Sequence, residues 1–483
     1  MRFVFRKVIF TFALSVLLLV CLAVAPAQAA TTTLTGAFAD GATYLIEVPS
    51  PWNGTLLLYS HGYVVPGTAN PARDVGDPAT HDFLLANGFA LAGSSYAHTG
   101  WAIQEALFDQ IAVLDVFNTQ VGTPARTIAW GHSLGGIITA GLIQRNPSRF
   151  DAALPMCGVL SGGVATWNQA LDSAFAFKTF FNFGGPLQVV HITNPGANLV
   201  LAEALLAAAN STPQGQARLA LANALGDLPG WFDAGTPEPA ANDFTAQANN
   251  QFLWAANVDF PFIFAFRAEL EFRASGNPSW NTGVDYREQF ERSVNKAEVR
   301  ALYKAAGLSL GDDLETLNKA ARISADPNAV NYLEQNIIFN GKIHFPVLSM
   351  HTSGDGLVSN QNENAYRDVV DEAGNQHLLR QIFVHRAGHC SFSPAETITA
   401  LGALLQRLDT GMWPSLQSNA LNGEAAGLGP AFNVVQNFEG VILPDGPSFF
   451  RFQPAPFERP FDKFDAARCA AKGHDGDVPC NAF

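Results

Sequence analysis

Basic residues are few in this chain: 28 Lys and Arg stand against 42 Asp and Glu in 483 residues, for a net charge of −14. No Lys/Arg cluster interrupts that balance, so a phosphate backbone would find no counter-charge and nucleic acid is excluded as a partner. Charge of either sign is sparse at 14%, whereas 48% of the residues are hydrophobic. A chain this apolar buries enough surface to offset its ordering entropy, which excludes a disordered or fibrous protein. After the N-terminal run, no stretch reaches the roughly 18 uninterrupted apolar residues of a spanning helix, so no stable membrane anchor is expected. The five cysteines form no C-x-x-C pair and no His/Cys cluster at metal-ligand spacing, so no metal site is expected. Gly-rich phosphate loops and paired glycosidase carboxylates are missing too, and the chemistry is expected to need no cofactor. Tyr is scarce, 8 against 37 Phe, a bias toward apolar surfaces and pockets.

What is present begins with an export signal. Arg2, Arg6 and Lys7 precede an apolar run over 8–24, and Ala27-Gln28-Ala29 supplies the small-x-small pattern of a cleavage site. Residues 1–29 therefore read as a secretory signal peptide cut after Ala29, and the mature protein is expected in the periplasm or the medium. An oxidising compartment makes the four remaining cysteines, Cys157, Cys390, Cys469 and Cys480, an even set for two disulfides. Of the three connectivities, Cys157–Cys390 with Cys469–Cys480 is the simplest.

Along the chain, short apolar runs alternate with amphipathic stretches. Strands are expected over 55–60, 89–96, 127–130 and 152–156, with helices over 81–87, 102–119 and 134–145 between them. The rhythm stops near Gly158 and resumes near Phe345, with strands over 345–351 and 377–385 and helices over 363–372 and 395–408. Alternation of this kind predicts an α/β fold with a mostly parallel sheet covered on both faces. The interval is rich in Ala, Asn and Phe and reads mainly helical, for example over 202–210, 217–225, 297–306 and 330–336. The expected division is thus a core of residues 30–157 and 345–410, an inserted cap of 158–344, and an arm of 411–483 packed on the core. Within that arm, 433–436 and 440–443 suit a short hairpin and 448–452 a strand.

The sharpest feature is Gly131-His132-Ser133-Leu134-Gly135-Gly136, between an expected strand and an expected helix. A serine on such a turn is forced into a strained backbone that lifts its hydroxyl above the sheet, and glycines two residues to either side leave room for it. The helix that follows aims its first N–H groups at the same point. A serine hydroxyl needs a base oriented by an acid. Asp355 follows the strand 345–351 and His389 follows the strand ending at His385, so both are placed at strand C-termini. His351 and His385, inside those strands, read as packing or supporting residues. An oxyanion would be received by the Leu134 amide and by a second amide after the first strong strand, either Gly62 or Tyr63, with His61 supporting that loop.

These residues in this order resemble the α/β-hydrolase superfamily, in its esterase and lipase branch, over 55–157 and 345–408. The resemblance implies an eight-stranded sheet with a helical cap, and hydrolysis through an acyl-enzyme made on Ser133. Secreted feruloyl esterases and tannases, which place cysteines directly before both serine and histidine, are similar only in part. Here His132 precedes Ser133, and Cys390 follows His389. The expected function is a secreted carboxylic ester hydrolase acting on small or polymeric esters with apolar acyl or aryl groups. The aromatic run Phe252, Trp254, Phe260, Phe262, Phe264 and Phe266 is the reason for the apolar preference. Alternatives are an exported aminopeptidase or amidase, with Glu269 and Glu271 to bind a substrate ammonium, an acyltransferase, or a silent binding protein, which the complete triad opposes.

Overall fold

Every residue of the run Thr55–Ser60 is buried, as a strand covered on both faces requires. Alternate side chains serve opposite layers. Leu56 and Leu58 join a cluster with Ala92, Ala129 and Ile137, and Leu57 and Tyr59 join another with Leu91, Trp130 and Leu401. The computed structural model describes residues 30–463. The expected signal peptide of residues 1–29 and the expected Cys469–Cys480 pair lie outside the described residues.

The first half runs β1 (Ala30–Ala37), β2 (Thr43–Ser50), β3 (Thr55–Ser60), α1 (Pro78–Ala86), β4 (Ala90–Ser94), α2 (Ile103–Gln120), β5 (Arg126–His132), α3 (Leu134–Arg145) and β6 (Ala152–Met156). Then come α4 (Gly163–Phe181), α5 (Pro195–Asn210), α6 (Pro213–Ala224), α7 (Phe244–Trp254), α8 (Arg267–Ala274), α9 (Tyr286–Arg292), α10 (Lys296–Ala306), α11 (Leu310–Lys319) and α12 (Pro327–Asn336). The sheet resumes with β7 (Val347–Gly354), α13 (Gln361–Glu372), β8 (Leu379–Ala387) and α14 (Pro394–Thr410). Last are α15 (Ser418–Gly427), β9 (Val434–Gln436), β10 (Ile442–Pro444) and β11 (Phe449–Phe450).

Strand order in the main sheet is β1-β2-β4-β3-β5-β6-β7-β8-β11. From β4 to β8 neighbours pair in parallel, while β1, β2 and β11 join antiparallel at the two edges. The expected eight strands are thus nine, because the two residues of β11 pair with Val384 and Phe383 of β8. The β1–β2 hairpin has no expected counterpart in the sequence reading: β1 is largely exposed, so it shows no apolar run. Helix α1 begins three residues earlier than expected. Pro78 sits in its first turn and the Asp77 side chain accepts from the Thr80 N–H at 2.8 Å, a standard start signal.

Between β6 and β7 the described residues hold helices only. Helix α4 is not among the helices named from the sequence, because it is buried nearly all round, Asn168, Gln169, Asp172 and Ser173 included, and so shows no apolar stripe of 3.6-residue period. The aromatic run lies on one helical rod from 244 to 274, widened by two π turns, Ala255–Asp259 and Phe262–Phe266. Pro261, between them, has no N–H for the carbonyl one turn back, and the widened turns accommodate it. The segment after α14 touches both parts. Phe457 and Phe461 enter the cluster on the sheet, while Arg459 donates to Asp172 at 2.6 Å and to the Trp280 carbonyl at 2.8 Å in the insertion. Among the described residues no helix is long and apolar enough to cross a membrane.

Candidate active site

Ser133 joins β5 to α3 with φ 59° and ψ −122°, a conformation L-residues adopt only under strain. The glycines around it are required by contact: a Cβ on either Gly131 or Gly135 would run into the Ser60 carbonyl of the neighbouring strand. His132, between them, turns to the other side, with its Nδ1 3.1 Å from the Tyr59 hydroxyl. Burial and the charge of His389 lower its pKa to about 4, so it is a neutral packing residue.

The two residues expected as base and acid arrive beside this serine. His389 Nδ1 lies 2.7 Å from Asp355 Oδ2, and Nε2 lies 2.7 Å from Ser133 Oγ. With Nδ1–H donated to Asp355, Nε2 is left to accept the serine proton. The second oxygen of Asp355 accepts from the Val358 N–H at 3.0 Å. The His389 loop is held by three further contacts. Gly388 N–H donates to Gly354 O at 3.0 Å, Thr352 Oγ1 donates to Gly388 O at 2.8 Å, and Cys157 and Cys390 form a disulfide with Cα atoms 5.4 Å apart. Just upstream, the buried Arg386 is clamped by both oxygens of Glu396 at 2.6 and 3.1 Å.

His351 has more to do than pack. Fully buried on β7, it places Nε2 3.5 Å from Asp355 Oδ2 and Nδ1 3.1 Å from Glu363 Oε1. Burial opposes its charge, but hydrogen bonds to Asp355 and Glu363 prevail and raise its pKa from 6.5 to about 10. Asp355 responds in the opposite sense. Burial would raise it, yet the charge of His389 and the hydrogen bond from His351 hold it at about 2, below its ordinary 3.8. Linkage then fixes the pH dependence of stability. The His351 contribution is complete below pH 6.5 and is lost as pH rises toward 10, whereas that of Asp355 is complete above pH 3.8 and is lost toward 2. The urea midpoint is expected to fall between pH 7 and pH 10 in the wild type, and this alkaline limb should flatten in His351→Gln. Parallel curves for the two proteins would refute the assignment.

A cavity of about 90 Å³ opens on Ser133, Leu134 and Tyr63 and is lined mostly by apolar side chains. Of the six aromatics expected to make an apolar pocket, Phe262 lines it; Trp254, Phe260 and Phe264 belong to the core of the insertion, with Phe252 packed against it. Phe266 stacks on Tyr63, their ring centres 5.9 Å apart. Glu269 and Glu271 do not reach a substrate ammonium. Glu269 is taken by Arg273 at 2.8 Å and the Trp101 N–H at 2.9 Å, and Glu271 by Arg267 at 2.9 Å and the Ile192 N–H at 3.1 Å.

Gly62 lies against Ser133: a Cβ there would be 3.4 Å from the serine Cβ. Its carbonyl faces His61 Nδ1 at 2.7 Å. In a trans peptide C=O and N–H point opposite ways, so the Tyr63 N–H is turned away from His61. His61 is itself stacked on Tyr96 with centroids 4.0 Å apart, and burial holds its pKa down at about 4. Two clusters among the described residues have ligand atoms close enough for a metal ion. In the first, Asp355–His389–Cys390, the sulfur is spent in the disulfide. In the second, Glu47–Asp74–His81, His81 is already bonded to Glu47 at 2.7 Å and to Asp82 at 2.9 Å.

No family model matches the chain. In sequence it is 33% identical over 421 residues to an o-phthalyl amidase of Xanthobacter agilis, spanning 81% of this chain and 90% of that protein. Among solved structures it is similar to an esterase from Aspergillus oryzae, with 12% identity, 89% of both chains and a TM-score of 0.42. It is also similar to feruloyl esterase B of the same organism, with 14% identity, 80% and 81% of the chains and a TM-score of 0.39. At such scores these likenesses carry no argument, and the fold rests on the strand order and parallel register.

Proposed function

The chain belongs to the α/β-hydrolase family that includes o-phthalyl amidase, and on that premise we propose that Ser133, His389 and Asp355 are its catalytic triad. It is a hydrolase, and its substrates are esters or amides. The observation that carries the triad is the unbroken contact from Ser133 Oγ to His389 and on to Asp355, 2.7 Å at each step.

The chemistry follows from those contacts. His389 Nε2 takes the proton as Ser133 Oγ attacks the acyl carbon, and Asp355 fixes the tautomer and stabilises the imidazolium. Negative charge collects on the former carbonyl oxygen, beside the first N–H of α3. That donor, on Leu134, has no partner within the helix. The Tyr63 N–H is the second donor, favoured over Gly62 by the orientation of the Gly62 carbonyl. His389 then protonates the leaving group, and water, activated by the same nitrogen, releases the acid. The small, mostly apolar cavity favours compact apolar acyl groups over long chains. Esters are the first reading, since an alcohol leaves more readily than an amine. Amides are the second, favoured by the amidase relative. Export into an oxidising compartment is part of the proposal, supported by the Cys157–Cys390 bridge.

Two measurements test it together. A fluorophosphonate should leave one adduct, located by mass spectrometry on the peptide carrying Ser133. Initial rates on matched aryl esters and anilides should then rank ester above anilide; the reverse order makes the protein an amidase first. An adduct elsewhere, or none, would discard the triad.

A further inference from the structure

The cavity at Ser133 contains an acid that the triad does not use. Asp259 ends the first π turn, lines the cavity together with Ser133, Leu134 and Tyr63, is 7% exposed, and has an Oδ2 with no hydrogen-bond partner. A buried carboxyl oxygen left unpaired is costly, and π turns recur where a side chain is held for function. We propose that Asp259 is a substrate-recognition residue, whose carboxyl hydrogen-bonds a second oxygen on the acyl group, as in an aromatic acid bearing another carboxyl or carbonyl. The inference rests on Ser133 being the nucleophile, which makes this cavity the acyl site.

The choice of an oxygen as partner comes from the protonation state. Burial first, and then the negative charge of Asp355, push the Asp259 pKa well above the carboxylate range. The group keeps its proton and donates it. A substrate carboxylate is the strongest acceptor it can meet, because a hydrogen bond to an ionised group is shorter and stronger than a neutral one. Around it, Trp101, Trp167, Phe262 and Ile263 offer an apolar slot for the ring that carries such a group. An ionised Asp259 would instead select an ammonium, and the two cases separate by experiment.

Binding of phthalate, benzoate and benzylamine to the whole protein, measured by calorimetry, is the test. It requires no turnover, so its failure is distinct from a failure of the triad, which phosphonate labelling reads. Phthalate is expected to bind at least about tenfold more tightly than benzoate, the scale of one well-placed hydrogen bond to a charged group. The preference should vanish in Asp259→Ala and largely persist in Asp259→Asn, whose amide still donates. Asp259→Leu, which keeps the branched shape of Asp without its polar atoms, replaces the alanine variant if that does not fold. Equal binding of phthalate and benzoate by the wild type overturns the proposal. So does a preference that survives removal of the carboxyl, or a loss confined to benzylamine.

Discussion

Ser133→Ala should lower kcat on an aryl ester by about a millionfold, the scale on which a triad acting as one unit fails when its nucleophile is removed. The substituted residue keeps the turn at φ 59°, since alanine carries the same Cβ, so the unfolding midpoint should not move. What remains would come from the two amide donors and from binding, and KM should change little. Removing His389 in the same protein should cost nothing more, because the base has no proton left to take. Residual kcat above about one hundredth of the wild-type value, in a preparation free of contaminating hydrolase, would contradict the mechanism.

The second large effect concerns the cross-link. Replacing both Cys157 and Cys390 with serine is expected to cost up to about 5.5 kcal/mol of stability. The bridge spans 233 residues of sequence, and the unfolded chain gains the freedom of that loop when it is cut. The figure is an upper one, because engineered and native disulfides often deliver less than the loop entropy alone. Activity should fall as well, by about a hundredfold, because Cys390 adjoins His389 and an ångström of misplacement costs that much. Chemical denaturation and kcat, each measured with and without verified reduction, decide it. Unchanged values in both would show that the sheet alone positions the histidine.

How much of this was legible beforehand depended on whether a feature leaves a local mark. The turn at Ser133 does, because a strained strand-to-helix corner demands glycines at fixed offsets. Helix α3 and strand β6 match their expected bounds, since each is a strongly apolar run between turns. Asp355 and His389 were placed by chain order after two strands. Helix α4 left no mark because it is buried nearly all round, and β1 because it is mostly exposed. The work of His351 depends on Glu363, a helix away, and within a strand it looks like any packed side chain. Glu269 and Glu271 looked available because the arginines that take them, Arg273 and Arg267, had no assigned partners in the linear reading. Asp259 was hidden in an aromatic stretch around Pro261, where a π turn has no sequence signature. The choice between Gly62 and Tyr63 required the direction of a carbonyl, which no residue pattern encodes.

The place of the insertion has a consequence for how the chain is made. Strands β6 and β7 are neighbours, joined through Ala153↔Val347 and Met156↔Met350, yet the whole run of helices from α4 to α12 is synthesised between them. A nascent chain therefore completes β6 long before its partner exists. During that interval a strand apolar on both faces presents an unpaired parallel edge, the kind of surface that captures other chains. The helices that follow must collapse on themselves without closing that edge, and their separate hydrophobic cluster lets them do so. Long-range parallel pairing is slow because loop closure precedes its reward. Truncations that stop before Val347 should accordingly be the aggregation-prone species of this protein.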